Sequence, residues 1–349
     1  MIRATSESDN FAIQVEKKGA KAVIDNIAAK GLLDKRRKVL IKGTNVEIPV
    51  NELIREFIKE STIDYKIVIQ ESPEFYRSMP GLVDILKGEM TPEELDLLPR
   101  SWYILGDIII VKIQPGLNGF AHRIGAALLD VYPRCRSVLR DFGIEGQFRE
   151  PVREIIAGEV SETIHKENGV LFRLDAMKIM FSQGNLRERI RMSRLGKSET
   201  VVDMFAGIGY FSLPMALHSQ PSRVMAIELN PVAYRYLVEN TKLNHVEDIV
   251  QPILGDCIER TPKCEADRVV MGMVQVTDRY LKTGIRALRS GGVLHYHQTI
   301  PSWKFPDAAI GDVSKAAKAL GLSAEILRCT RVKKYSPGVV HAVVDARIT

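Results

Sequence analysis

The chain has 349 residues, 45 % hydrophobic and 26 % charged, a balance that excludes disordered and fibrous classes and a length that calls for two or three domains. No apolar run approaches the roughly 20 residues of a membrane span, and the opening MIRATSESDNF lacks the apolar segment of a secretion signal. Forty-nine basic against 43 acidic residues leave a charge of +6, which points mildly to a polyanionic partner, and four cysteines without a C-x-x-C pair fit a reducing cytoplasm.

The first 60 residues read as a small unit. Apolar residues at helical spacing over 17–30 (Ala20, Val23, Ile24, Ile27) precede two strand-like stretches, 39–42 and 46–50, joined at Gly43-Thr44-Asn45. Pro49 cannot donate to a ladder, so the second stretch is expected at a sheet edge. The basic run 35–38 reads as a solvated turn before it reads as a nucleic-acid contact. A second block, 61–174, opens with helices over 81–87 and 92–98, the latter behind the N-cap Thr91. An apolar strand over 102–113 and an amphipathic helix over 122–132 follow. Hairpin strands over 147–156 and 161–174 complete it, the second broken at Glu167-Asn168-Gly169. This is an α+β module with no visible chemistry of its own.

From residue 200 the rhythm changes. Strands over 200–203, 223–227, 249–254, 268–270 and 292–296 alternate with helices over 210–217, 232–243 and 280–289, which specifies βαβ units and a mostly parallel sheet. Two final strands, 324–330 and 339–347, are joined by a basic loop, 331–336, with no helix between. A parallel sheet closed by an antiparallel pair is the pattern of Class I methyltransferases. The expected fold is therefore an α/β, Rossmann-like sheet of this kind over 175–349, behind the α+β module at 61–174 and the small unit at 1–60.

Asp203-Met204-Phe205-Ala206-Gly207-Ile208-Gly209 puts an acid and then Gly-x-Gly at the end of the first strand, where the backbone turns sharply and approaches a ligand. The dinucleotide fingerprint wants a third glycine or alanine where this chain has Ser212. Glu228 closes the second strand, and a carboxylate there accepts from both hydroxyls of a ribose, in NAD and S-adenosylmethionine alike. The third strand ends in Gly255-Asp256-Cys257, where Asp256 can accept the adenine amino group. The ordered set Asp203, Gly207, Gly209, Glu228 and Asp256 selects S-adenosylmethionine. Upstream, Arg187, Arg189, Arg191, Arg194 and Lys197 stand against the single acid Glu188. That helix is a solvated face, an RNA phosphate contact or a partner for the methionine carboxylate. His295 and His297 share one strand face with no third ligand, so no metal is expected.

Phe181-Ser182-x-Gly184-Asn185 with Glu188-Arg189, then Asp203 through Phe211, then Ile227-Glu228-Leu229-Asn230-Pro231, resemble the archaeal and eukaryotic enzymes that modify tRNA guanosine 37. Leu98-Pro99-Arg100-Ser101-Trp102 with Gly106-Asp107 resembles their middle domain, so the likeness covers nearly the whole chain. One branch of that superfamily methylates N1 of guanosine 37. The wybutosine-synthesis branch transfers the 3-amino-3-carboxypropyl group of S-adenosylmethionine to C7 of 4-demethylwyosine in tRNA-Phe, releasing methylthioadenosine. The methylating branch ends its fourth strand in an Asn-(Leu/Pro)-Pro type motif; here that stretch is Met271-Gly272-Met273, and Tyr210 follows the Gly-x-Gly where methylators tend to carry Pro. Both departures look like the aminocarboxypropyl branch.

The resemblance implies that Ser182, Arg189, Asp203, Phe205, Gly207, Gly209, Glu228, Leu229, Asp256 and Cys257 bind the cofactor. It places Arg191, Arg194, Met271, Gly272, Lys333 and Lys334 on the side of the tRNA-Phe anticodon stem-loop, with the N-terminal unit as a further tRNA contact. No general base is identified. A guanosine-37 N1-methyltransferase with an altered fourth strand and a non-catalytic tRNA-binding protein are the alternatives. A cytoplasmic enzyme with no membrane partner is expected.

Overall fold

In the computed structural model, residues 10–51, 54, 66–75, 80–146 and 148–349 are described. They form two compact units, Met1–Gly81 and Leu82–Thr349. The opening nine residues and the boundary expected at Ser61 lie outside the described residues.

In the first unit, strands β1 (Phe11–Glu16), β2 (Leu40–Lys42), β3 (Asn45–Pro49) and β4 (Lys66–Ile69) make one sheet in the order β2-β3-β1-β4. The helix Ala20–Ala29 turns Ile27 into a core with Ile13, Ile48 and Val50. Two expectations change here. Pro49 does not put its strand at an edge: β3 is flanked on both sides, and Pro49 is its last residue, opposite Ala12, so no interior rung lacks a donor. The run 35–38 is not simply solvated either. Arg37 is 2 % exposed and donates to the carbonyls of Phe11 (2.9 Å) and Val50 (2.8 Å), while its Nε pairs with Asp34 at 2.9 Å. Because β4 pairs with β1, this unit extends past residue 60 to Gly81.

The second unit begins with a four-stranded sheet in the order β5-β6-β7-β8: β5 (Trp102–Leu105), β6 (Ile108–Val111), β7 (Ser137–Glu145) and β8 (Glu150–Ala157). The helix Ala121–Val131 packs Ile124, Ala127 and Leu128 against it. Thr91 and Glu94 form a capping box at the start of the helix Pro92–Asp96. The single strand expected over 102–113 is a hairpin, because Gly106 turns at φ +61° with no room for a Cβ beside Thr163. β9 (Glu162–Glu167) and β10 (Val170–Asp175) form the second hairpin, turning at Asn168 and Gly169, both with positive φ.

The large sheet contains β11 (Thr200–Asp203), β12 (Arg223–Glu228), β13 (Val250–Leu254), β14 (Ala266–Met271), β15 (Leu288–Pro301), β16 (Ala324–Ser336) and β17 (Val339–Ile348). Its order is β13-β12-β11-β14-β15-β17-β16, with β17 antiparallel to both neighbours. The order reverses between β11 and β14, and a doubly wound sheet opens a crevice at such a switch point. The basic loop expected at 331–336 is instead the end of β16: β17 pairs with it as far as Ser336, and only Pro337-Gly338 turns. The helix Asp307–Lys318, which carries Ala309, Val313 and Ala317 into the core, was not foreseen.

Side-chain amides join the β9–β10 hairpin to the large domain. Asn240 and Asn244, on the helix Pro231–Leu243 and its C-cap, bond the backbones of Arg173 and Leu171 on β10.

Candidate active site

The crevice is a cleft of about 550 Å³, within the usual range for a small-molecule site. One end is built by the turn after β11. Gly207 has φ +58°, and a Cβ there would lie 2.5 Å from the ring of Tyr210. Its N–H donates to Glu228 Oε2 at 2.7 Å, and the Asn230 N–H donates to Oε1 at 2.8 Å. Burial raises the Glu228 carboxyl against the pull of these amides. Leu229, Asp256, Cys257 and Phe205 line the same end, with Phe205 edge-on to Tyr280 at 5.2 Å. Asp256 Oδ1 accepts from the Ile258 N–H at 2.8 Å. Burial, reinforced by Asp256, pushes the Cys257 thiol up to about 12, so it is a neutral wall group.

The other end carries Ser182, Asn185, Arg189, Tyr210, Gly272, Met273, Lys333 and His341. Lys333 Nζ donates to Ser182 Oγ at 2.8 Å, and burial together with Arg189 and Arg149 lowers its pKa. Tyr210 donates its hydroxyl to the Met180 carbonyl and packs edge-on to Phe181 at 5.6 Å. Arg149, Gln275 and Tyr335 meet at the rim: Arg149 Nη1 lies 3.2 Å from Gln275 Oε1 and 3.3 Å from Tyr335 Oη. These three residues, with His341, were missed in the sequence because they belong to no local motif and only the fold assembles them; Asn185 stands in the Ser182-x-Gly184-Asn185 motif but was given no role there.

Ser182, Arg189, Phe205, Gly207, Glu228, Leu229, Asp256, Cys257, Gly272 and Lys333 line the cleft, and six other named residues do not. Asp203 is 1 % exposed beneath the turn, accepting from Ser212 Oγ (2.7 Å) and the Phe205 N–H (3.3 Å), and burial pushes its pKa to about 6. Gly209 packs on Leu213 and Leu237. Met271 is fully buried against Gly284, so the cleft wall at this strand end starts at Gly272. Arg191 is held by Glu188 and Asp345, each at 2.6 Å, and is not a free phosphate contact. Arg194 and Lys334 are exposed and stand away from the cleft. Arg189 lines the cleft with its guanidinium already committed: Nε and Nη2 bond Glu167 at 2.6 and 2.8 Å, and Nη1 donates to the Ser182 carbonyl at 2.9 Å. It positions the Ser182 segment.

Behind the wall lies a buried polar chain. Glu199 holds Arg268, Arg268 meets His295, and His295 Nδ1 meets Asp345 Oδ1 at 2.6 Å. Asp345 in turn holds Arg191. His297 Nδ1 lies 3.1 Å from His341 Nε2, and His297 Nε2 lies 3.7 Å from Glu188 Oε1. His295 and His297 are thus partnered separately. The cleft suits S-adenosylmethionine: a carboxylate oriented by two amides for a ribose, a glycine where the backbone comes close, and an aromatic and thiol wall for an adenine.

The model of the TRM5/TYW2 methyltransferase domain matches residues 163–326, that of the TYW2 N-terminal domain 82–161, and that of the tRNA methyltransferase 5 N-terminal domain 12–58. The tRNA(Phe) (4-demethylwyosine(37)-C(7)) aminocarboxypropyltransferase of Pyrococcus horikoshii is 37 % identical over 270 residues, 77 % of this chain and 96 % of that protein. Its Methanocaldococcus jannaschii counterpart is 42 % identical over 245 residues, 70 % of this chain and 96 % of that protein. The crystal structure of P. horikoshii TYW2 in complex with MeSAdo superposes with TM-score 0.70 at 36 % identity, covering 76 % of this chain and 97 % of that one. Trm5b of Pyrococcus abyssi, also a solved structure, gives TM-score 0.71 at 32 % identity over 97 % of this chain and 99 % of its own. With the cleft, the strand order, the TYW2 and TRM5/TYW2 domain models over 82–326 and the 37 % identical relative in agreement, the chain belongs to the TRM5/TYW2 methyltransferase family.

Proposed function

We propose that the protein transfers the 3-amino-3-carboxypropyl group of S-adenosylmethionine to C7 of 4-demethylwyosine at position 37 of tRNA-Phe, releasing methylthioadenosine. The observation that carries this reading is the end of β14. Gly272 and Met273 line the cleft, in the stretch where the methylating branch carries an Asn-(Leu/Pro)-Pro type motif and this chain has neither Asn nor Pro. The two aminocarboxypropyltransferases that the chain matches at 37 and 42 % identity support it.

S-adenosylmethionine supplies a sulfonium whose three attached carbons are all electrophilic, so positioning decides which one the base meets. Glu228, fixed by the Gly207 and Asn230 amides, would hold the ribose, and Asp256 with Cys257 would border the adenine. At the opposite end Lys333 supplies a positive charge and Ser182 a hydroxyl for the α-carboxylate. Arg189 acts indirectly, fixing Ser182 through its carbonyl. The exposed cations Arg187, Arg194 and Lys197 offer contacts to the phosphates of the anticodon stem-loop. Among the described residues no helix is long and apolar enough to cross a membrane; a tRNA substrate suits a cytoplasmic enzyme.

One observation favours the N1-methyltransferase reading: residues 12–58 match the tRNA methyltransferase 5 N-terminal domain. A separate N-terminal unit does not decide which carbon reaches the base, so the β14 end outweighs it. Incubation with precursor tRNA separates the readings. Carboxyl-labelled S-adenosylmethionine should label the tRNA and release methylthioadenosine. Methyl label entering unmodified guanosine 37, with release of S-adenosylhomocysteine, would overturn the proposal.

A further inference from the structure

We infer that His341 is a catalytic residue of this transfer, the acceptor of the C7 proton of the target base, with His297 and Glu188 aligned behind it. The inference rests on the transfer reading given above.

Its ground is the hydrogen bond of the His297–His341 pair, the charge that stands behind it and the ring nitrogen it leaves unpaired. Glu188 Oε1 stands 3.7 Å from His297 Nε2, too far for a hydrogen bond, and Nε2 has no hydrogen-bond partner among the described residues; the negative carboxylate beside it favours the tautomer with the proton on Nε2. His297 Nδ1 is then the acceptor in its 3.1 Å contact with His341 Nε2, which must be the donor. His341 Nδ1 is left with a bare lone pair. That atom is buried and has no hydrogen-bond partner among the described residues, although the residue lines the cleft and is only 1 % exposed. A buried acceptor without a partner is costly, and such atoms in native proteins call for an explanation.

Its place in the sheet fits the role. His341 sits on β17 directly opposite Lys333 of β16, the residue whose ammonium reaches Ser182. His297 packs beside Phe211, whose ring in turn borders Gly272 at the end of β14. The other titratable groups of that end are engaged: Tyr210 donates to Met180, Lys333 to Ser182, and Arg189 to Glu167 and Ser182. Burial, with His295 and Arg191 beside His297 and with His297 and Lys333 beside His341, pushes both imidazoles down to about 3. Asp345 and Glu188 oppose that effect and do not reverse it. Both rings are therefore neutral at neutral pH, and the lone pair is available.

The balance is as follows. The π electrons of the base form the bond from C7 to the γ-carbon, sulfur keeps the pair of the bond that breaks, and the ring becomes a cation. Loss of the C7 hydrogen as a proton to His341 Nδ1 returns the C–H pair to the ring. His341 can pass its Nε2 proton to His297 Nδ1 across their 3.1 Å contact, so the positive charge comes to rest on His297 beside the Glu188 carboxylate. A protonated ring carbon is a far stronger acid than an imidazolium, so even a weakly basic imidazole suffices.

Precursor tRNA carrying deuterium at C7 tests this. The wild type should release methylthioadenosine with an isotope effect near 1, because proton loss follows the slower bond formation. His341→Phe should lower kcat at least about 100-fold, the scale of a lost general base, with cofactor affinity and KM for tRNA within about twofold. In it the effect should rise above about 2, as proton loss becomes limiting. His341→Asn serves if the Phe variant does not fold, and added imidazole should partly restore His341→Ala. A variant within about threefold of wild-type kcat, or a slow variant with no isotope effect, overturns the assignment. Histidine 15N resonances of the cofactor-free protein give a second arm that does not depend on turnover. Nδ1 of His341 should be unprotonated from pH 5 to 8, and a protonated Nδ1 overturns the inference. A wild type that forms no methylthioadenosine would fail the transfer reading instead, while the resonances still judge the histidine pair.

Discussion

Asn240 is one of the side chains that hold the β9–β10 hairpin to the large domain, and its loss should be felt globally. Its Oδ1 accepts from the Arg173 N–H at 2.6 Å, and its Nδ2 donates to the carbonyls of Arg173 at 3.1 Å and Ile208 at 3.2 Å. Asn244 repeats the arrangement on Leu171, at 2.9 and 2.7 Å. The spacing is geometric: four residues of helix rise about 6 Å, and two residues of strand span about 6.6 Å. Two amides one helical turn apart therefore address alternate residues of one strand as a neighbouring backbone would. Asn240→Leu keeps the volume and removes three hydrogen bonds at a net of about 1 kcal/mol each. Leaving the Ile208 carbonyl buried adds to that, so the expected loss is about 3–5 kcal/mol, a large part of a typical domain's stability. Urea unfolding measures it, and hydrogen exchange of the Arg173 amide should lose protection at the same time. A loss below about 1 kcal/mol, or an Arg173 amide still protected, would refute the argument that these amides stand in for a strand.

Glu228→Ala should weaken S-adenosylmethionine binding by about 1.5–3 kcal/mol, the scale of lost charge-assisted hydrogen bonds; calorimetry on the folded variant checks it. Arg194→Glu should lower the log–log salt slope of tRNA binding by roughly 0.7–0.9 per lost phosphate contact. Arg191→Glu should instead destabilise the fold, since it breaks pairs with Glu188 and Asp345; salt titrations and melting curves distinguish the two. Asp345 is held down to about 2 by His295 and Arg191, which outweigh the opposing effect of burial. Its contribution is present above the unfolded carboxylate value near 3.9 and is lost as pH falls through about 2. The buried histidines act in the same direction. The unfolded chain protonates them below about 6.5 while the folded chain does not until about 3, so stability falls between those values. A melting temperature unchanged from pH 7 to 4 would contradict this.

The parallel strands, the glycine turn and the acid at each strand end were legible in the sequence because each is a local pattern: an apolar run, a residue type and a spacing. What escaped notice depends on partners far along the chain. The strand Ser137–Glu145 gives little local signal, since its second half is largely exposed and its pairing with Ile108–Val111 supplies the rest. Arg191 looked like a phosphate ligand until Asp345, 154 residues away, was seen to pair with it. Met271 has the polarity of a cleft residue and of a core residue alike, and only the sheet register decides. The His297–His341 pair spans 44 residues and two strands, so no motif could announce it.

The edge strand Ala324–Ser336 meets its partner with three register shifts, in which Leu327, Val332 and Tyr335 are the extra residues. A bulge adds one residue to one strand without displacing the pairs on either side, whereas a one-residue change anywhere else turns every later side chain to the opposite face. Length variation in this hairpin is thereby confined. Deleting Thr330 would carry Lys333 away from Ser182, while deleting Val332 would leave Lys333 opposite His341. Insertions and deletions that persist through descent in this strand should therefore fall at those three positions, an expectation about inheritance that follows from the pleat alone.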